Sequence, residues 1–287
     1  MIKSHYFEIV GFFCTSTSEH SLFLQKNMKN YLFLGMMGAV VFFNSCSSND
    51  DNSGQKLLLS KVTTAYYDNT STPTPEEMIL EYNDKGEVIK IKTTYNTSAF
   101  EYSNGKLVKS SHYNKEQQLE YYSVSSYNGD QLANVQYNYM NSINNSSVTY
   151  GYDSNGKIIH STHCESPDCK EPTTSSLAYN GDNITVETNN FWESNTYKRE
   201  FTYDNKLNPY TNVNKYLRII IGGAYGISMN NYITEKITHK SKNGDWSNNQ
   251  NITYSIQYNS SQLPVQVIGT EANGKKYVQY NYEYITQ

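Results

Sequence analysis

Two cysteines and two histidines fall within ten residues in His160-Ser-Thr-His163-Cys164-Glu-Ser-Pro-Asp-Cys169. Imidazoles and thiolates at such spacing are zinc ligands, and the same two thiols in an oxidising compartment close a disulfide across a loop. Asn83-Asp84-Lys85-Gly86 and Asp153-Ser154-Asn155-Gly156 look like the opening of calcium loops, but both lack the downstream bidentate glutamate. Glu76-Glu77 lies beside Pro73 and Pro75, a setting that predicts an exposed loop and not a glycosidase-type acid and base pair. His112 and His239 stand singly on predicted strands, where a solvated or hydrogen-bonded imidazole is the ordinary case. There is no Gly-rich phosphate loop and no His-Glu-x-x-His. No catalytic residue, metal ion or cofactor is assigned from these groups.

Which cysteine chemistry applies depends on where the chain is sent. Lys29 precedes a nearly unbroken apolar run, Tyr31 to Phe43, which exits through Asn44-Ser45-Cys46. That is the order of a secretory signal. As a helix the run spans roughly 20 Å, short of the roughly 30 Å hydrocarbon core. The segments are read as 1–27, an extension preceding the true start at Met28 and holding Cys14; 28–45, signal peptide; 46–55, flexible tether; and 56–287, one repeat-built β domain. Phe43-Asn44-Ser45-Cys46 resembles the lipobox of bacterial lipoproteins, which implies acylation of Cys46 and a lipid anchor in the outer membrane. Ser47-Ser48-Asn49-Asp50-Asp51 resembles the acidic export signal of Bacteroidota lipoproteins, which implies exposure at the cell surface; a polar tether is the other reading. With Cys46 acylated, Cys164 and Cys169 are the remaining thiols of an exported chain, so a disulfide is expected, with metal ligation as the alternative. The net charge is −4, and residues 1–45, with three lysines and two glutamates, leave the remainder one unit more negative. Without a basic run, nucleic acid is not expected as a partner.

The elements that must carry these groups repeat. A tyrosine, a short Asn/Asp/Gly turn and an aliphatic pair recur from Tyr82, Tyr102, Tyr127, Tyr152, Tyr179 and Tyr203, spaced 20 to 27 residues apart. Asn-Gly and Asp-x-x-Gly tolerate the positive φ that tight hairpins need, so each unit is a hairpin. Between turns the chain alternates, with Ala133, Val135, Tyr137 and Tyr139 against Asn134, Gln136 and Asn138, and again over 252–258 and 278–284. The expected fold is all-β, an antiparallel meander of repeated hairpins curled into a barrel or strongly curved sheet. A tyrosine interior wants partners or trapped water, which suits a wide barrel. The regularity breaks between Tyr203 and Tyr258, where Asn208-Pro209-Tyr210 and the apolar Leu217 to Ile221 predict either a plug or cap, as loop or short helix, or a buried strand. No helical period is evident elsewhere.

The recurrence resembles the tyrosine-aspartate repeats of Rhs-type proteins, and Tyr203-Asp-Asn-Lys-Leu207-Asn-Pro209-Tyr210 resembles a motif of flavobacterial and Bacteroides lipoproteins. The resemblance implies a porin-like or barrel-like β architecture and carries over no catalytic residues. Tyrosines both stack on ligands and stabilise strands directly. The expected function is a surface-tethered, non-enzymatic binding module with a glycan or protein partner. An outer-membrane structural or assembly component packed on a protein partner is the second reading, and an extracellular polymer hydrolase the third. A membrane-spanning barrel is disfavoured, because Asn, Gln, Lys and Ser fill the face that would meet lipid.

Overall fold

Alternating strands and turn chemistry leave few topologies. The computed structural model describes residues 56–67, 73–140, 145–191 and 195–287; the 1–27 extension, the signal segment and the whole tether with Cys46 lie outside them. Eight strands come first: β1 (Leu57–Tyr66), β2 (Glu76–Tyr82), β3 (Val88–Thr93), β4 (Asn96–Ser103), β5 (Lys106–Asn114), β6 (Leu119–Asn128), β7 (Gln131–Tyr139) and β8 (Ser146–Tyr152). β9 (Ile158–Cys164), β10 (Thr173–Asn180), β11 (Asn183–Asn190) and β12 (Asn195–Leu207) continue the meander. Two short helices follow, α1 (Lys215–Ile221) and α2 (Gly223–Ile227), then β13 (Asn230–Ser241), β14 (Ser247–Tyr258), β15 (Pro264–Glu271) and β16 (Lys276–Thr286). Every strand pairs antiparallel with the next, and β1 pairs with β16 with Val62 opposite Tyr282. The sheet thus closes into a barrel with no free edge, the outcome expected of so many meandering strands.

The repeat motif acquires a physical meaning at one mouth of this barrel. At each repeat tyrosine the hairpin register slips: Tyr82 faces Val88 while Glu81 faces Lys90, so Ile89 is an extra residue. The same bulge recurs at Tyr102, Tyr127, Tyr152 and Tyr179. It splits the aliphatic pair, burying Val88, Leu107, Leu132, Ile158 and Ile184 inside while Ile89 and Ile159 are exposed. Pairing between successive hairpins ends short of the mouth, at Lys61 with Ile79, Lys109 with Val124 and Asn134 with Thr149. Beyond that point the tyrosine hydroxyl takes over. Tyr82 donates to the Leu59 carbonyl at 2.6 Å, Tyr127 to Leu107 at 2.6 Å, Tyr152 to Leu132 at 2.8 Å and Tyr179 to Ile158 at 2.8 Å. Tyr203 bonds Ile184, and Tyr284 bonds Pro264. A carbonyl without a ladder partner needs a donor, and tyrosine is long enough to supply one across the splayed strands. Lysines add a second stitch: Lys106 meets Asp130 at 3.2 Å and Lys157 meets Asp182 at 3.0 Å.

Two expectations need correction, and a third is decided between its alternatives. Glu76 and Glu77 are not in a loop but open β2, because the β1–β2 ladder pairs them with Thr64 and Thr63. Leu217 to Ile221 takes the short-helix alternative, not the buried strand, and forms most of α1: the Asn214 side chain accepts from the amides of Tyr216 and Leu217, and Gly222, at φ 81°, ends the helix. Its strand-favouring isoleucines are overruled by burial of Tyr216, Leu217 and Ile220 against the barrel. Nor is the interior a wide, wet one under this segment. Tyrosines pack on one another there, Tyr232 on Tyr254 with centroids 5.0 Å apart and Tyr280 on Tyr282 at 6.3 Å. The cavity left among Asn208, Tyr225, Tyr232 and Tyr280 measures ≈ 20 Å³, room for about one water.

Candidate functional site

The connection from β12 to β13 seals the mouth that the repeat turns surround. Its contacts run round the rim: Asn212 donates to the Leu57 carbonyl at 2.7 Å, Asn214 to Gly105 at 2.9 Å, and the Tyr216 hydroxyl to Asp130 at 3.0 Å. On the opposite side the Met229 amide bonds the Asp182 carbonyl at 3.2 Å and the Ile184 amide bonds Ser228 Oγ at 3.1 Å. Arg218 ties the cap together by donating to the carbonyls of Gly226, Ile227 and Ser228. Tyr210 and Tyr225 share a hydroxyl–hydroxyl bond of 2.7 Å beneath it, and burial pushes both phenols well above their ordinary value. Neither tyrosine is therefore ionised at neutral pH.

Under the cap lies a charged cluster. Arg199 Nε donates to Glu235 Oε1 at 2.6 Å, the Tyr254 hydroxyl donates to Glu235 Oε2 at 2.7 Å, and Arg199 Nη1 is 3.8 Å from Glu187 Oε2. Asn189 Nδ2 donates to Glu187 Oε1 at 3.1 Å. Adjacent strands β11, β12 and β13 bring these groups together, since Glu187 faces Arg199 across one ladder and Glu235 neighbours both through Phe201 and Ile237. Burial opposes the charge on Arg199, but Glu235 beside it outweighs this and holds the guanidinium above its usual range. Burial raises the Glu187 carboxyl, with Asn189 and the Ala224 amide opposing. Two carboxylates for one guanidinium make Glu187 the group best placed to take up a proton.

A serine–histidine contact lies elsewhere in the interior. His112 accepts or donates at Ser98 Oγ, 2.8 Å from Nδ1, and at Ser110 Oγ, 3.0 Å from Nε2, while Ser110 bonds Ser123 at 2.5 Å. The ring stacks on Tyr121 with centroids 4.2 Å apart. Burial pushes its pKa down to about 3. Both ring nitrogens have hydroxyl partners and the residue is 0% exposed, the setting of a hydrogen-bonded core histidine.

No family model and no curated protein matches the chain. Among solved structures it is similar to a porin-like protein from Bacteroides uniformis. The likeness has a TM-score of 0.52 at 13% identity and covers 79% of this chain and 98% of that one. A second porin-like protein, from Bacteroides vulgatus, matches with a TM-score of 0.41 at 12% identity, covering 80% of this chain and 99% of that one. The likeness to the first extends to the fold.

The residues singled out by sequence fall in different places. Cys164 and Cys169 are bonded to one another across the β9–β10 connection, at the mouth away from the cap. His160 and His163 lie on opposite faces of β9: the His160 ring occupies the outside of the sheet over Gly151, while His163 is paired with Val148 and Thr173 on the inner side. Burial lowers the His163 pKa. His239 bonds Ser247 and stacks on Tyr197 at 6.0 Å. The calcium-like loops turn their carboxamide and carboxylate inward on their own backbone, Asn83 Oδ1 accepting from Lys85 and Glu87 and Asp153 Oδ1 from Asn155 and Lys157. Glu77 pairs with Lys61 at 2.6 Å on the outer wall. Glu187, Arg199 and Glu235 were not singled out, being scattered along the chain; the available signal was a charged residue at an inward position of an alternating strand.

Proposed function

We propose that this chain is a lipid-tethered, non-enzymatic binding protein of a bacterial outer membrane, engaging its partner through the outside of the barrel. The observation that carries this is the capped mouth: the β12–β13 connection closes it, and the tyrosines and the Arg199–Glu235 pair fill the space beneath. Beneath the cap the described side chains leave room for about one water, too little for solute to pass that mouth. Its outer wall does not suit lipid either, since Lys61–Glu77, Lys92–Glu81 and Lys109–Glu101 pair at 2.6, 2.6 and 3.0 Å on the outside of β1 to β5. Charges on a lipid-facing wall cost about 2–4 kcal/mol each at the bilayer midplane. The lipobox-like Phe43-Asn44-Ser45-Cys46 supplies attachment instead.

Cells fed an alkyne-bearing fatty acid should label the chain, and Cys46→Ser should lose both the label and the membrane association. Label retained on the variant would remove the tether from this reading. Turnover of any substrate that a point substitution in residues 56–287 abolishes would remove the non-enzymatic part.

A further inference from the structure

The outer wall is not uniform. β7, β8, β9, β10 and β11 hold between them no Lys, Arg or Asp and a single Glu, and that one, Glu187, points inward and is buried. Five adjacent strands therefore present an outer face without a charged side chain, whereas β1 to β5 and β12 to β13 carry Lys–Glu pairs. Soluble surfaces are ordinarily about a quarter to a third charged. What replaces the charges is hydroxyl and amide. Asn134, Thr149, Thr162, Thr174 and Asn190 stand directly opposite one another on successive strands. At ~4.8 Å per strand that rank offers hydrogen-bonding groups over roughly 19 Å. Beside it His160, exposed, sits over Gly151, where even a Cβ would meet the ring at 1.8 Å. The missing side chain lets an aromatic ring lie down on the sheet.

We propose that the outer face of β7–β11 docks a neutral polysaccharide, with the His160 imidazole as stacking platform and the threonine rank as its hydrogen-bonding partners. This rests on the tethered-binding reading. An uncharged polyhydroxyl chain loses no ionic hydration on this face and finds donors and acceptors at regular spacing, while an acidic glycan or a nucleic acid finds no cation there. Glycine at 151 is what keeps the platform low: any other residue lifts the ring off the sheet.

Affinity electrophoresis of the detergent-solubilised full-length protein in gels holding dextran, laminarin, mannan or alginate tests it. At least one neutral gel retards the protein, alginate does not, and about 0.5 M NaCl leaves the retardation unchanged because no ion pair is involved. His160→Ala weakens retention about tenfold, the value of one ring contact. Thr162→Lys, an outward change on a strand, abolishes it. Failure of all three neutral gels, or retention unaffected by both substitutions, overturns the proposal. So does a dimer in sedimentation velocity that Thr162→Lys converts to monomer, since the face then belongs to a second copy. Cys46 labelling and cross-linking to envelope components that persist in both variants leave the tethered reading standing while this face assignment falls. Neutral-gel retention with no Cys46 label does the reverse.

Discussion

The Tyr127 hydroxyl has an acceptor, the Leu107 carbonyl, whereas the buried Tyr102 hydroxyl has no hydrogen-bond partner among the described residues. A ring in the same place thus carries a satisfied group in one repeat and an unsatisfied one in the next. Tyr127→Phe should cost about 1 kcal/mol and Tyr102→Phe should be neutral or stabilising, a difference read from urea midpoints; equal losses would show that the rings and not the hydroxyls matter. Glu187 has its own pH signature. Burial raises its folded-state pKa above the unfolded value of 4.5, so the folded chain binds the extra proton. Its stabilising contribution is present below that unfolded value and is lost as pH rises through the folded one. Glu187→Gln should remove this dependence, so that the Tm difference between variant and wild type grows in the variant's favour from pH 4.5 to 7.5; parallel profiles would show that Glu187 is not the titrating group. Glu235→Gln, which removes the negative charge nearest Arg199 and leaves Glu187 at 3.8 Å, should cost about 3–5 kcal/mol by denaturant titration.

At the scale of elements the cap is the part least supported by regular pairing. α1 and α2 are each too short to be stable alone, and they hold their shape through Asn214, Arg218 and the rim contacts. Asn214 both caps α1 and donates to Gly105. Asn214→Ala should therefore cost about 1 kcal/mol and speed tryptic cleavage after Lys215 and Arg218, with the strands still protected. Cleavage as slow as in the wild type would show that burial of Leu217 and Ile220 holds the cap without its polar contacts. The hairpins are sturdier by construction, each pinned by its own turn and bulge, and those of Tyr82, Tyr127, Tyr152 and Tyr179 also by the tyrosine bond to the preceding hairpin.

For the whole molecule, closure is the decisive contact. β1 and β16 pair from Leu57 with Thr286 to Tyr66 with Val278, so the last strand protects the first. Truncation before Lys276 would bare the edges of β1 and β15 at once, and exposed edges template association. Such a chain should elute from size exclusion as oligomer or aggregate; a well-behaved monomer would show that the open sheet is stable by itself.

How much of this was legible beforehand follows from the range of each interaction. Turn residues act within four or five positions and alternation within one strand, so the hairpins, the two-faced strands and the all-β meander could be read from Tyr82, Gly86, Val135 and their equivalents. Closure could be expected but not located, because nothing near Val62 announces Tyr282. The same distance hid the cluster of Glu187, Arg199 and Glu235, three isolated charges in sequence that the ladder places side by side. The helix at Leu217 stood as one of two alternatives because its apolar residues suit strand or helix equally, and only burial against the rim decides between them. Glu76 and Glu77 became strand for a similar reason, since pairing with β1 supplies hydrogen bonds that the neighbouring prolines do not foretell. Local chemistry thus determined the repeating unit, while the tertiary structure alone decided what the units enclose and which face they leave free.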